Sequence, residues 1–272
     1  MIRRAPLAVL AAAVTLTGCG TFTDNDVVAE VEGATLVDDE LTALVADQWI
    51  DGEAPAEIDG DTARVIVGNF VGAEVLRADL EAIGSEVSAP ETDGMGPAET
   101  LQTELQAVLD QWFALPADQI VDDLVVARYA EGPEESGVTC AAHILVETEE
   151  DAAEVVAALD EGADFAELAA SRSTDTGSAA NGGSLGCSPT DQFRTTFVPE
   201  FVDAALAADI GEPTDPVESQ FGYHIIRLQP LDELPPDVAL TIRIQTFEDR
   251  YDISIDPRIG EWDPFQLIVP VG

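Results

Sequence analysis

The chain has 272 residues, 46% of them apolar and 6% aromatic, with 54 Asp and Glu against 11 Arg, no Lys, and a formal net charge of −43. The apolar share is too high for a disordered chain of this charge, and the length allows one or two domains with cores of their own. Nucleic acid is excluded as a partner, because phosphate binding needs clustered cations and every arginine apart from Arg3-Arg4 stands alone.

Residues 1–18 read as a signal peptide. Arg3-Arg4 form a positive start, residues 5–16 form an apolar run, and Leu16-Thr17-Gly18-Cys19 follows at once. The run is shorter than the ~18 to 20 residues a membrane-crossing helix needs. Leu-Thr-Gly-Cys resembles the lipobox of bacterial lipoproteins, in which the cysteine is acylated and becomes the first residue after cleavage. The expectation is a protein held on the extracytoplasmic face of the membrane by a lipid on Cys19 and by nothing else. Cys140 and Cys187 then remain, an even number in an oxidising compartment. A disulfide between them would stabilise the fold by roughly 4 kcal/mol in the chain-entropy model. The alternatives are two inert buried thiols or a catalytic cysteine.

From residue 27 to about 132 the patterns are mainly helical. A short apolar strand over 27–32 ends at Gly33, and Asp38 can cap a helix carrying Leu41, Leu44 and Val45. Asp61 opens a longer helix with Ile66, Phe70, Leu76, Leu80 and Ile83 on one side, closed by Gly84. After the breakers at 94–97, Leu101, Leu105, Val108, Leu109 and Trp112 keep helical spacing. Pro116 separates them from a last helix with Ile120, Leu124, Val125 and Arg128. These stripes read as core-facing, and 19–132 is expected to be one mainly helical domain. Residues 133–137 have the composition of a linker.

Beyond it, residues 139–146 are strand-like. Thr148-Glu149-Glu150-Asp151 resembles a capping box ahead of Val155, Val156 and Leu159, and Asp164 caps a helix with Phe165 and Leu168. A polar loop covers 173–184, 199–206 is helical, and 215–228 reads as two strands around a Phe221-Gly222 turn. Interleaved elements with antiparallel pairing give an α+β domain over 138–230. The tail, 231–272, is expected to hold a helix with Leu240, Ile244, Phe247 and Tyr251, then a strand over 252–255, and to pack on the helical domain.

The chain has only two histidines, His143 and His224, each inside an apolar strand-like run. One buried histidine is usually a satisfied core residue; two in such settings, with no others, point toward a site. Two histidines are too few, and they lack a nearby Cys/Asp/Glu cluster at ligand spacing, so no metal is expected. No nucleophile elbow, phosphate-cradling loop or metalloprotease motif occurs.

Residues 140–229 resemble the parvulin-type peptidyl-prolyl isomerases along the whole of that domain. The matching stretches are Ala142-His143-Ile144-Leu145-Val146, Asp164-Phe165-Ala166-Glu167-Leu168-Ala169, Ser173-Thr174-Asp175, and Asn181-Gly182-Gly183-Ser184-Leu185-Gly186. They continue with Val198-Pro199-Glu200-Phe201-Val202-Asp203-Ala204-Ala205 and end with Ser219-Gln220-Phe221-Gly222-Tyr223-His224-Ile225-Ile226. The order of lipobox, helical segment, parvulin domain and tail further resembles the extracytoplasmic foldases of the PrsA and SurA class. The resemblance implies a mainly helical chaperone-like domain joined to an antiparallel sheet with surrounding helices.

It also implies roles. Leu185, Phe197 and Phe201 match an apolar proline pocket, with Phe221 at its edge. His143 and His224 match a histidine pair, Asp175 stands where members carry an acid or thiol, and Ser219 matches a hydroxyl position. Ser184 and Cys187 depart from the family, which usually has aspartate and an aromatic there. The loop at 147–151 is acidic where members selective for phosphorylated substrates are basic, so phosphate recognition is not expected. No cofactor is implied. The implied partners are unfolded or partly folded secreted proteins, whose X-Pro bonds would be isomerised. A second reading keeps the fold as a holdase that only binds peptide, and a third is an envelope assembly factor. The acidity fits adaptation to a salty medium and equally an acidic proteome.

Overall fold

The computed structural model describes residues 26–47, 58–263 and 267–271; the signal peptide, the lipobox and Cys19 lie outside them. The fold is α+β and divides into two compact units, one within Met1–Leu115 and Phe247–Gly272, the other Pro116–Thr246.

In the first unit β1 (Val27–Val31) and β2 (Ala34–Val37) form an antiparallel hairpin. Val31 pairs with Ala34, so Glu32 and Gly33 are the whole turn, with φ of 49° and 83°. Two positive φ values make a type I′ turn, which suits the strand twist and favours glycine. The sequence reading ended the strand at Gly33 and missed β2. Helix α1 (Asp38–Asp47) follows directly, and α2 (Gly60–Ala82) is capped by Asp59, whose carboxylate accepts the Thr62 N–H at 2.9 Å. The helix opening expected at Asp61 is therefore two residues later than the cap at Asp59, and Asp61 instead pairs with Arg64. Helix α3 (Pro97–Phe113) buries Trp112, whose indole N–H donates to buried Asp79 of α2 at 2.8 Å.

The second unit begins earlier than the sequence suggests. The helix expected after Pro116 is broken into α4 (Ala117–Ile120) and α5 (Asp123–Ala130), because Asp122 takes extended geometry and caps α5. The residues of linker composition contain α6 (Pro133–Ser136), in which Pro133 and Ser136 are buried. Next come β3 (Val138–Val146), α7 (Glu149–Asp160), α8 (Phe165–Arg172), β4 (Ser184–Pro189), α9 (Thr190–Thr196), α10 (Pro199–Leu206), β5 (Val217–Ser219), β6 (Gly222–Leu228) and α11 (Pro236–Ile244). Thr148 and Asp164 cap α7 and α8 through their side chains. Elements β4 and α9 fall where no strand or helix periodicity is legible in the sequence.

The four strands form an antiparallel sheet in the order β4-β3-β6-β5. Alternation along β3 and β6 sends Ala142, Ile144, Val146 and Ile225 toward Val155, Phe165 and Ala169 of α7 and α8. The opposite face carries Ala141, Ile226 and Leu228 against Phe193, Phe201, Val202 and Ala205 of α9 and α10. Helices α5 and α11 bury Val125, Tyr129, Val238 and Ile242 against Val138 and Cys140. Arg243 of α11, 1% exposed, donates to the Ile120 carbonyl at 2.8 Å and to the Asp122 carboxylate at 3.1 Å. Cys140 and Cys187 lie directly opposite on β3 and β4 and are joined by a disulfide.

The tail therefore divides. Residues 231–246 belong to the second unit. In the first, α12 (Phe247–Arg250) and β7 (Ile253–Ile255) follow, and β7 completes the sheet β2-β1-β7, with Ala29 opposite Ile255. β8 (Glu261–Asp263) pairs antiparallel with β9 (Leu267–Val269), and Tyr251 donates its hydroxyl proton to Asp79 at 2.6 Å. Among the described residues no helix is long and apolar enough to cross a membrane.

Candidate active site

The two histidines come from neighbouring strands. His143 of β3 lies opposite Ile226, and His224 of β6 opposite Leu145, so they are diagonal neighbours on the α10 side of the sheet. Their rings stack with centroids 5.4 Å apart, and their exposures are 6% and 4%. Phe201 of α10 meets both rings edge to face, at 5.5 and 5.2 Å.

Asp175 is brought in by the loop after α8, which docks along β3. The Thr174 N–H donates to the Leu145 carbonyl at 2.7 Å, and the Leu145 N–H donates to the Ser173 hydroxyl at 3.1 Å. A Cβ at Gly183 would stand 2.3 Å from the His143 carbonyl oxygen, and its φ is 80°, so this residue must be glycine.

A continuous chain of hydrogen bonds results. Asp175 Oδ2 lies 2.8 Å from His143 Nε2, the two Nδ1 atoms are 3.1 Å apart, and His224 Nε2 lies 2.7 Å from Ser219 Oγ. Hydrogen bonds from Ser178 and then from His143 hold the Asp175 carboxyl down to about 2. It is therefore ionised and can only accept, so His143 donates from Nε2. A neutral His143 then accepts at Nδ1, which requires His224 to donate from Nδ1 and to accept the Ser219 hydroxyl proton at Nε2. Each proton points toward Asp175. The Ser219 oxygen accepts the Phe221 N–H at 3.1 Å as well.

Burial, with the His143 neighbour second, pushes His224 down from 6.5 to about 4. The folded value is the lower one, so on acidification the unfolded chain takes up the proton first. Stability is lost as pH falls from 6.5 toward about 4, while His224 of the folded protein stays neutral over most of that range. The part of the kcat/KM pH profile carried by His224 is accordingly expected to fall near about 4, where that ring protonates, and not at 6.5. An NMR titration that placed the His224 ring at 6.5 would contradict this arrangement.

Leu185 of β4 and Phe197 are half-buried and pack with Phe201, which is only 2% exposed and forms a floor. Phe221, on the β5–β6 turn, is 61% exposed. Sequence reasoning missed Phe193, whose ring lies 4.7 Å from that of Phe197 and 6.1 Å from that of Phe201. The four-residue spacing of these three aromatics was the available signal. It also missed Ser178, at Asp-x-x-Ser spacing from Asp175. Among the described residues no group of three or more His, Cys, Asp or Glu could hold a metal ion.

The family model of the PPIC-type peptidyl-prolyl isomerase domain, also called rotamase, matches residues 143–230. The foldase protein PrsA of Oceanobacillus iheyensis is 33% identical over 231 residues, covering 80% of this chain and 72% of that one. The PrsA of Geobacillus sp. is 45% identical over 96 residues, 35% of this chain and 33% of that one. The crystal structure of PrsA from Bacillus anthracis is 26% identical, covers 77% of this chain and 86% of that one, and has a TM-score of 0.33. On the strength of the Oceanobacillus relative and the isomerase domain, the chain belongs to the PrsA foldase family.

Proposed function

We propose that this protein is a lipid-anchored extracytoplasmic foldase that isomerises X-Pro bonds in secreted clients at the centre formed by His143, Asp175, Ser219 and His224. The observation that carries the reading is the one-directional relay from Ser219 to Asp175 beside an apolar cluster of Leu185, Phe197 and Phe201. Rotation about an X-Pro bond must overcome amide resonance, a barrier of ~18 to 20 kcal/mol. No covalent step is needed. A site lowers the barrier by binding the twisted amide better than either planar isomer. Apolar walls withdraw the water that favours the planar dipolar form, and the fixed polar atoms of the relay favour the twisted one. Phe221 would close the edge of the pocket, and Cys19 would carry the anchor. The residues needed for this chemistry are all supplied by the chain, without a cofactor.

Separation of rate from binding tests the assignment. His143→Ala and Asp175→Ala are expected to lower kcat roughly tenfold or more, as loss of about 1.4 kcal/mol of transition-state stabilisation does. Peptide affinity should stay within a few fold, because the groups act in the transition state. Equal losses in affinity and kcat/KM, with kcat unchanged, would reassign them to ground-state binding.

Charge sets a preference. The acidic residues Glu147, Glu149, Glu150 and Asp151 follow β3, and desolvation first, then the charges of Glu218 and Glu149, raise the pKa of Tyr223 beside the β5–β6 turn. A tetrapeptide with glutamate before proline is expected to be a poorer substrate than one with alanine, by roughly a few fold at low salt and less as salt screens the field. A preference for glutamate, or none at any salt, would contradict this.

A further inference from the structure

The relay does not end at Asp175. The Asp175 oxygen that accepts from His143 also accepts the Ser178 hydroxyl proton at 2.6 Å, while its other oxygen accepts the Gly177 N–H at 3.0 Å. Ser178 is 3% exposed and is not part of the apolar cluster. Its backbone is tied into the same structure. The Ser178 carbonyl accepts the N–H of Gly183 at 3.0 Å and of Asn181 at 2.8 Å, and the Gly183 carbonyl accepts the His143 N–H at 2.9 Å. One residue is thus bonded to the carboxylate that orients His143 and to the glycine that holds the His143 backbone.

A turn-forming serine needs only the backbone bonds. The hydroxyl has a separate consequence, because it puts a second donor on the oxygen that faces His143, which otherwise has the imidazole as its side-chain partner while the Gly177 N–H holds the other oxygen. Among the described residues the side chains bonded to Asp175 are His143 and Ser178, with His224 next along the relay, and no arginine pairs with it. Its direction therefore rests on His143, Gly177 and Ser178. Were it to turn, His143 would lose the acceptor that selects the Nε2–H tautomer, and the Nδ1 pair could reverse. His224 would then donate to Ser219, and the Ser219 proton would point out of the relay instead of into it.

We propose that Ser178 is the positioning residue of the isomerase centre: its buried hydroxyl fixes the Asp175 oxygen that holds His143, and so sets the proton order as far as Ser219. The proposal rests on the functional reading above only in calling that centre an isomerase. The test uses the full chain as wild type, Ser178→Ala and Ser178→Cys. The cysteine keeps the volume with a much weaker donor, so a folding defect confined to the alanine variant leaves the question answerable. Long-range ¹H–¹⁵N spectra of the imidazoles read the tautomers, a carboxyl ¹³C titration follows Asp175, and a protease-coupled proline tetrapeptide assay gives kcat and KM. Both variants are expected to show mixed tautomers, an Asp175 midpoint above that of wild type, and a kcat lower by roughly tenfold with KM within about twofold; tenfold corresponds to about 1.4 kcal/mol. Wild-type tautomers, midpoint and kcat in folded Ser178→Ala or Ser178→Cys would overturn the proposal. Absence of isomerisation in the wild type would sink the functional reading alone, and the tautomer and carboxyl spectra would still decide whether Ser178 positions Asp175.

Discussion

Phe201→Ala is expected to cost about 3 to 5 kcal/mol of stability, the range for emptying an aromatic site that cannot collapse. The ring is 2% exposed and surrounded on several sides: Phe197 at 5.2 Å, Phe193 at 6.1 Å, and both imidazoles edge-on at 5.5 and 5.2 Å. Removing it opens a void beneath the relay and lets both imidazoles tilt, so activity should fall together with stability. A drop in melting temperature of roughly 10 °C follows from that cost in a unit of this size. Circular dichroism separates an unfolded variant from a folded, inactive one. Phe201→Leu keeps most of the volume and should cost less than about 1.5 kcal/mol. If both variants melt with the wild type, the ring is not the packed floor described.

Breaking the Cys140–Cys187 bridge is expected to have a comparable effect. It joins residues 47 apart in sequence, and in the chain-entropy model a loop of that length contributes roughly 4 kcal/mol. The bond clamps edge strand β4 to β3 next to a register shift between Cys140 and Ala142. β4 carries Leu185, which packs against the pocket cluster. Replacing both cysteines by alanine should therefore lower the melting temperature and raise KM more than it lowers kcat. The check is a pair of thermal melts with and without reductant. A melting temperature that ignores both reductant and substitution would mean that the ladder alone holds β4.

What the sequence made legible was local. Thr148 and Asp164 name the starts of α7 and α8 because a cap bonds to its own first turn. α9 was invisible because Phe193 is its only large apolar residue, and one residue makes no stripe. The 133–137 stretch has the composition of a linker, yet burial of Pro133 and Ser136 depends on neighbours far away in sequence. The return of the chain to the first unit shows the same limit: β7 pairs with β1 more than two hundred residues earlier, a partnership that no local pattern records. At the site, the histidines stood out because there are only two, and the pocket residues through resemblance. Ser178 did not, since a serine in a Ser/Gly loop carries no mark until its hydroxyl is seen 2.6 Å from Asp175.

The central claim is that the relay and its apolar floor form a working isomerase. The most direct measurement is the protease-coupled rate of cis-to-trans conversion of an alanine-proline tetrapeptide by the wild-type chain with its disulfide intact. The account predicts a rate that rises in proportion to protein concentration and exceeds the uncatalysed conversion, which takes tens to hundreds of seconds. A rate equal to background, from a folded protein that still suppresses aggregation of an unfolded client, would contradict it and leave a holdase.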